Sequence, residues 1–388
     1  MHSLHTHTRT PPNYETAFAC QFIPSALSQL PLHSLFQSIR PSSMARIKLI
    51  GILKDKVSIL KATLYINRHA SSVHVAVLRA TTHHPSRPPS EEKIASVLAL
   101  GHSSRITACA CIEALMDRLH GTHSAFVALK CLLTLHNIIA KGSFILKDQL
   151  AFYPSFGGHN FLNLSMFSDN SDLVMWEFSS WVRWYAGVVE QNLMVSRAIG
   201  YYLNSSKKDK EEKALALLDS DLAVEIEVLV EFVVRICDAP NSLDLQRNNL
   251  VYEVVRAAAE DYRSVQREIL ARVKEVGDRV DSVEGVNSDE LIQLIDALER
   301  LEGCKGKLML LFLNRKRNDG FWDTVRETKA MLVETKKKKE EKSLVRFVGR
   351  DESAESTQFW NPFLEPGQLL LLPSGGGWLD FGPTPIAV

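Results

Sequence analysis

The sequence lacks a long apolar segment and any excess of one charge. Its 388 residues hold 45 Lys and Arg and 45 Asp and Glu, so the formal net charge is zero. Such a chain has no overall field that would steer it to nucleic acid, so any anion-binding surface has to be a local patch. No run of about 18 apolar residues occurs, and no transmembrane helix is therefore predicted.

Cysteine is also scarce, and catalytic signatures are missing. The six cysteines fit no disulfide framework, and no Cys/His pair near Cys109 and Cys111 completes a zinc set. His83 and His84 lack partners at ligand spacing. The chain contains no nucleophile elbow, no phosphate-binding glycine loop, no dinucleotide fingerprint and no zinc-protease motif. These absences argue against an enzyme, a bound metal, a cofactor and a nucleic-acid partner.

Helical periodicity fills the chain from Ile47 to about Glu341, and strand-like alternation is nearly absent. Proline, glycine and capping residues divide this stretch into antiparallel helices with short links, which predicts an all-α stack that curves into a solenoid. The predicted helices cover about residues 52–64, 71–79, 90–100, 103–121, 124–140, 144–152, 161–167 as a single turn, 172–202, 214–237, 241–276, 288–312 and 319–341.

Both ends of the chain differ in composition from this helical part. Residues 1–43 are rich in Ser, Thr, Pro and His, and Glu15 is their only acid. They are predicted to be disordered, as an extension upstream of a natural start at Met44 or, less in keeping with their low Arg content, as a transit peptide.

Residues 342–388 form a predicted disordered tail, because periodicity is lost there while Gly, Pro and Ser increase. Isolated apolar residues in such a tail are typical of short motifs for partner pockets. An Asn-Pro-Phe sequence favours a type I turn that leaves its Phe free. The two candidate motifs are Asn361-Pro362-Phe363 and Trp378-Leu379-Asp380-Phe381.

Three strings in a fixed order carry a family resemblance. They are VLRATTHH at residues 77–84, FVALKCLLTLHNII at 126–139 and LVMWEFSSWVRWYA at 173–186. Together they resemble the ANTH domain of clathrin assembly proteins, and especially the short plant members. The resemblance implies an ANTH/ENTH-like superhelical solenoid, with an ENTH-like part at 44–202 and a C-terminal helical part at 203–341.

The same resemblance implies an endocytic adaptor. The helical domain would bind phosphatidylinositol 4,5-bisphosphate membranes and SNARE helices, and the tail would recruit clathrin, adaptor proteins and, through Asn-Pro-Phe, EH-domain proteins. The expected location is the cytoplasmic side of clathrin-coated pits and vesicles, at the plasma membrane and the Golgi.

The expected lipid site joins the end of one helix to the start of the next. In the family, a Lys ends the second helix and a basic cluster opens the third, where free N–H groups also favour phosphate. The candidate lipid-binding residues here are Arg79, His83, Arg87 and Lys93.

This chain departs from the family pattern in the second half of that site. Ser90 and Glu92 stand where two cations are expected, and the loss weakens headgroup binding. The alternative is therefore a protein-only helical scaffold of the VHS or solenoid type that has lost lipid binding. A further basic set near Met44 adds attraction to anionic lipid or is an ordinary solvated face: Arg46, Lys48, Lys54, Lys56 and Lys61.

Two more patterns in the helical region are predicted to be structural. The aromatic residues Trp176, Trp181, Trp184 and Tyr185 recur at helical spacing and are predicted to lie in the core rather than to form a stacking platform. Lys130 and His136 match family positions, and a local structural role is predicted for both.

Overall fold

The computed structural model describes residues 43–64, 68–152, 161–204, 216–241, 245, 247–279, 288–312 and 319–351. Within these ranges the chain forms eleven α-helices and no strand, which confirms the predicted all-α fold. The helices are α1 (Ser43–Thr63), α2 (Arg68–Ala80), α3 (Glu91–Ala99), α4 (Arg105–His120), α5 (Ala125–Lys141), α6 (Phe144–Phe152), α7 (Leu173–Ile199), α8 (Asp219–Cys237), α9 (Asn249–Arg279), α10 (Ser288–Leu311) and α11 (Asp319–Asp351).

Several predicted helix ends shift for local reasons. Helix α7 ends at Ile199 rather than near residue 202, because Gly200 adopts a left-handed φ of 74° that ends a helix readily. The single helical turn predicted at 161–167 is wrong: this segment forms non-helical turns, and Asn163 has a φ of 53°. The last helix continues to Asp351, ten residues past its predicted end.

The described chain divides into two compact units. The first takes in the described residues up to Met194 and those of Asp238–Glu260, and the second takes in those of Val195–Cys237 and from Asp261 onward. Helices α7 and α9 each run through both units. The two domain ranges predicted from the sequence were contiguous, and they stay predictions.

The core of the first unit is built around α5. Nearly every residue of this helix is buried, as expected for a helix that is apolar on all sides. Phe126 packs edge-on against Phe178 of α7 with ring centroids 4.9 Å apart. Trp181, Trp184 and Tyr185 are buried as predicted, but Trp176 is 55% exposed because it lies on the outer side of the first turns of α7.

Helix α1 packs closely against the rest of this unit through small residues. Ala62 is buried, and Gly51 lies so near the α2–α3 connection that a Cβ atom there would be 2.7 Å from Cβ of His83. No side chain fits this gap without movement of the loop or the helix. Glycine therefore sets the distance between α1 and the segment that was predicted to bind lipid.

The second unit contains a buried polar network on α9. Helix α10 packs between α8 and α11. The Arg272 guanidinium is 1% exposed and donates to Oε2 of Glu225 at 2.5 and 2.7 Å and to Oε2 of Glu268 at 2.9 Å. It also donates to the Tyr201 hydroxyl at 3.1 Å, and that hydroxyl donates to Glu268 at 2.6 Å.

The network changes the titration of its members. Burial alone would lower the pKa of Arg272, but the hydrogen bond with Tyr201 and the charge of Glu225 hold the pKa above its ordinary value. Burial raises the pKa of Tyr201 to about 12. The buried Arg272 therefore forms ion pairs with two buried carboxylates, those of Glu225 and Glu268.

Candidate functional site

The four predicted lipid residues lie on the α2–α3 connection or at its two ends. Arg79 is exposed in the last turn of α2, and Arg87 is exposed in the loop. Lys93 lies in the first turn of α3 and is half-buried. Headgroup binding by these residues stays a prediction, and the exposed acids Glu91 and Glu92 share the first turn of α3 with Lys93.

His83 binds a carboxylate of α1. Its backbone N–H donates to Oδ2 of Asp55 at 2.8 Å, and its Nδ1 lies 2.6 Å from Oδ1 of the same residue. Arg118 of α4 lies 3.7 Å from Asp55 and donates to the carbonyl of Thr81 at 3.2 Å. Asp55 therefore joins α1 to the α2–α3 connection and to α4 at one point.

The buried side chain of Lys130 also binds the α2–α3 connection. Nζ of Lys130 donates to the carbonyls of Thr82 and His84, each at 2.7 Å, and the residue is 1% exposed. Burial lowers the pKa of Lys130 to about 7. The nearby Lys93 also lowers it, while Asp55 opposes the shift. The predicted structural role of Lys130 thus takes a specific form, which is to fix the Thr81–His84 segment.

A cleft opens beside this cluster, between α1, the α2–α3 connection, the α4–α5 junction and the start of α7. Its volume is about 390 Å³, within the range of small-molecule sites. Sequence reasoning missed it, because its walls come from segments more than a hundred residues apart. The lining residues are Ile50, Gly51, Lys54, His83, Arg118, Gly121, Thr122, His123, Ser124, Phe126, Asp169, Ser171 and Met175.

Asp169 is the one carboxylate that lines this cleft, and both of its oxygens accept hydrogen bonds from the protein. Asp169 is 4% exposed and accepts from the backbone N–H of Ala125 at 2.9 Å, so it caps the start of α5. Its other oxygen accepts from the N–H of Ser171 at 3.2 Å and from the Ser171 hydroxyl. The N–H of Asp169 itself donates to Ser179 at 2.8 Å.

Most of the large apolar side chains of helix α1 face solvent. On its packed side, Gly51 and Ala62 are buried and Ile59 is half-buried. The solvent-facing apolar residues have exposed fractions from 38% to 73%: Leu49, Ile50, Ile52, Leu53, Val57, Leu60 and, just past the helix end, Leu64. We call these seven residues the α1 stripe.

Three exposed lysines lie at or within the α1 stripe. At 100° per residue, Lys54 and Lys61 lie at its edge beside Ile50, whereas Lys56 lies within the stripe, between Ile52 and Leu49. Exposed apolar area bordered by cations is typical of helices that lie in a membrane interface. The stripe is the largest run of exposed apolar side chains on any one described helix.

The remaining predicted site residues lie elsewhere. Asn361, Pro362, Phe363 and the Trp378–Phe381 motif fall outside the described residues. In the parts of the chain that the structure covers, no group of His, Cys, Asp or Glu is arranged to hold a metal ion. None of the helices in these parts is long and apolar enough to cross a bilayer.

Comparison with known proteins identifies a family and relatives that this chain is similar to. Residues 72–297 match the family described as "ANTH domain". An Arabidopsis thaliana relative named "Putative clathrin assembly protein" is 40% identical over 324 residues, which is 80% of this chain and 88% of the relative. A second Arabidopsis relative of the same name is 29% identical over 313 residues, covering 78% of this chain and 89% of its own length.

Proposed function

Since this chain belongs to the ANTH-domain family, we propose that it is a clathrin adaptor that docks on membranes containing phosphatidylinositol 4,5-bisphosphate and recruits coat components. The relatives that match it over most of its length carry the name of clathrin assembly proteins. The proposed role is binding rather than catalysis, and its site is the cytoplasmic face of coated pits and vesicles at the plasma membrane and the Golgi.

The α1 stripe carries the membrane part of this proposal. Leu60 is 61% exposed and Leu64 is 73% exposed, so most of their apolar surface is in contact with water when the protein is free. Transfer of such side chains into the lipid interface is favourable by about 25 cal/mol per Å² of buried area. Each lysine at or within the stripe adds about 1 kcal/mol near an anionic surface.

Lipid selectivity would come from the α2–α3 connection. Arg79, Arg87 and Lys93 supply cations there, and the start of α3 offers free backbone N–H groups that suit phosphate. Glu92 lies in the same turn and opposes an anion. We therefore expect weaker headgroup selectivity than the full family pattern would give, with the α1 stripe providing the remaining affinity.

Vesicle co-sedimentation of the full chain tests the membrane role. Vesicles of phosphatidylcholine alone are compared with vesicles that also contain phosphatidylserine or phosphatidylinositol 4,5-bisphosphate. Leu53→Glu combined with Leu60→Glu is expected to reduce binding at least about tenfold, because two apolar contacts become charged. Ile106→Glu is the matched control, since Ile106 is an 83% exposed apolar residue of α4 away from the α1 stripe.

Two charge variants test the predicted headgroup residues. Arg79→Glu should reduce binding to phosphoinositide vesicles, and Glu92→Lys should increase it because it restores the family charge. Absence of binding to every vesicle type at low salt would reject the membrane role. The alternative hypothesis, a helical scaffold that binds only proteins, would then be favoured, and the exposed Glu91 and Glu92 are consistent with it.

The recruitment part of the proposal rests on the tail motifs. Pro362 restricts the turn and Phe363 supplies an apolar anchor, which reduces the entropy lost on binding. Phe363→Ala should abolish pull-down of an EH-domain protein, and the Trp378–Phe381 motif is expected to contact clathrin or an adaptor. SNARE helices are further expected partners of the helical domain. An unchanged pull-down by the Phe363 variant would reject EH-domain recruitment.

A further inference from the structure

We propose that the exposed face at the start of α7 is a docking site for a short basic segment of a partner protein. The face carries Leu173 and Trp176 on the helix and Met166 on the segment before it, and we call these three residues the α7 patch. None of them belongs to the predicted lipid site, and this inference does not depend on the membrane role.

Helix geometry places the α7 patch on the side of α7 that faces away from the core. At 100° per residue, Leu173 and Trp176 share one face of the helix, and Phe178 and Val182 are buried on the opposite face. Leu173 is 74% exposed and Trp176 is 55% exposed, whereas every other tryptophan that the structure describes is buried. An exposed tryptophan beside an exposed leucine is typical of a protein interaction site.

The segment before α7 extends the patch. Arg183 lies about two turns beyond Trp176 on the same face, and its Nη1 donates to the carbonyl of Phe167 at 2.7 Å. This bond holds the preceding residue, Met166, beside that face, and Met166 is 89% exposed. Three side chains offer less area than the roughly 800 Å² per partner that a stable interface between folded proteins buries. The α7 patch therefore fits a short segment.

Carboxylates border the α7 patch on both sides of the helix. Asp172 lies at the edge next to Trp176, and Glu177 lies at the edge next to Leu173. One oxygen of Asp172 accepts from the N–H of Val174 at 3.3 Å, and neither carboxylate forms an ion pair with a residue that the structure describes. An apolar centre with a negative charge at each edge favours a segment that has Lys or Arg next to apolar side chains, and the indole face attracts the same cations.

The surrounding sequence does not neutralise these carboxylates. No Lys or Arg occurs between Lys147 and Arg183, and Arg183 is half-buried and bonded to the carbonyl of Phe167. The negative charges oppose an anionic lipid surface, so the α7 patch differs in character from the α1 stripe with its lysines. A basic segment of a partner protein is therefore a better occupant than a membrane.

Selection from a phage-displayed library of random peptides of about 16 residues tests this occupant. The full chain is the bait, and peptides that also bind the Trp176→Ala variant are removed. We expect enrichment of peptides that place Lys or Arg on both sides of an apolar residue. The enriched sequences then supply a defined probe whose affinity is measured by calorimetry.

Matched variants distinguish the α7 patch from any other exposed surface. Leu173→Ala should weaken the selected peptide about tenfold, and Glu177→Gln should weaken it about threefold. The controls are Ile106→Ala, at an 83% exposed apolar residue of α4, and Glu113→Gln, at an exposed carboxylate of the same helix. Each control should change the affinity by less than about twofold, with circular dichroism unchanged in all variants.

Other occupants would give different results. The proposal is overturned if no enriched peptide requires Trp176, or if the enriched peptides lack Lys and Arg. Loss of vesicle binding by Trp176→Ala would assign the α7 patch to lipid, and a wild-type dimer that this variant dissociates in sedimentation would assign it to a second copy; either result also overturns the proposal. Basic peptides that require Trp176 support the α7 patch even if the wild-type chain binds no vesicle.

Discussion

Replacing Arg272 by Met should destabilise the second unit strongly. The guanidinium is 1% exposed, and it is the charged partner of both Glu225 and Glu268, whose side chains are 8% and 6% exposed. The Met side chain fills most of the space but leaves two carboxylates without a cation in a region of low water content. Removal of one partner from a buried ion pair costs about 3–5 kcal/mol, mostly because the other charge stays buried.

That loss should be visible in thermal unfolding. For domains of 150–250 residues, each kcal/mol lowers Tm by about 2–4 °C, so the expected decrease is roughly 6–20 °C. Because the chain has two units, the two transitions should be followed separately by circular dichroism and calorimetry, and a single two-state fit is not assumed.

Helix α9 itself offers the matched control. Arg256 also bonds two carboxylates, Glu253 and Glu260, but its side chain is 48% exposed. Exposed pairs of this kind contribute about 0–1 kcal/mol. Arg256→Met should therefore change Tm by only a few degrees. If the Arg272 and Arg256 variants lose the same stability, the reasoning about the buried network is refuted.

Three further predictions follow from the first unit. Lys130 has a folded-state pKa of about 7, far below its ordinary value of 10.5, so the unfolded chain binds the extra proton between these values. The free energy of unfolding should therefore rise with pH in this window by up to about 1.4 kcal/mol per pH unit, and denaturant titrations of Lys130→Met should lack this rise. Asp169→Ala removes the cap of α5 and should cost about 1–2 kcal/mol by urea unfolding, and a cost below about 0.5 kcal/mol would contradict the capping role. Gly51→Val should separate α1 from His83, which NMR of the imidazole would detect as loss of its bond to Asp55; an unchanged signal would show that the loop yields instead.

The sequence predicted most of the helices but did not predict which of their faces contact other parts of the protein. Periodicity and capping residues predicted nearly every helix, and the burial of Trp181 and Tyr185 followed from their spacing. The same spacing predicted that Trp176 is buried, and this prediction is wrong. Periodicity indicates that residues share one face of a helix, but it does not indicate whether another element covers that face. This ambiguity affected α1 most, because most of its large apolar side chains face solvent, whereas Gly51 and Ala62 are buried against the rest of the unit.

The local chemistry of the candidate site was even less accessible from the sequence. Lys130 was recognised as structural, but its two carbonyl acceptors lie 46 and 48 residues away in the chain. The capping of α5 by Asp169 bridges 44 residues, while the side chain of Ser124, which directly precedes the helix, makes no capping hydrogen bond. Such pairings depend on how helices cross, and no short-range pattern encodes that.

The contact at Gly51 also fixes the rotation of α1 about its own axis. A turn of one residue in either direction would bring Ile50 or Ile52 against His83, where not even a methyl group fits. Lys54 therefore always emerges on the cleft side and Lys56 on the far side. The two lysines therefore have different surroundings, and the hydrogen atom that Gly51 carries in place of a side chain maintains this difference.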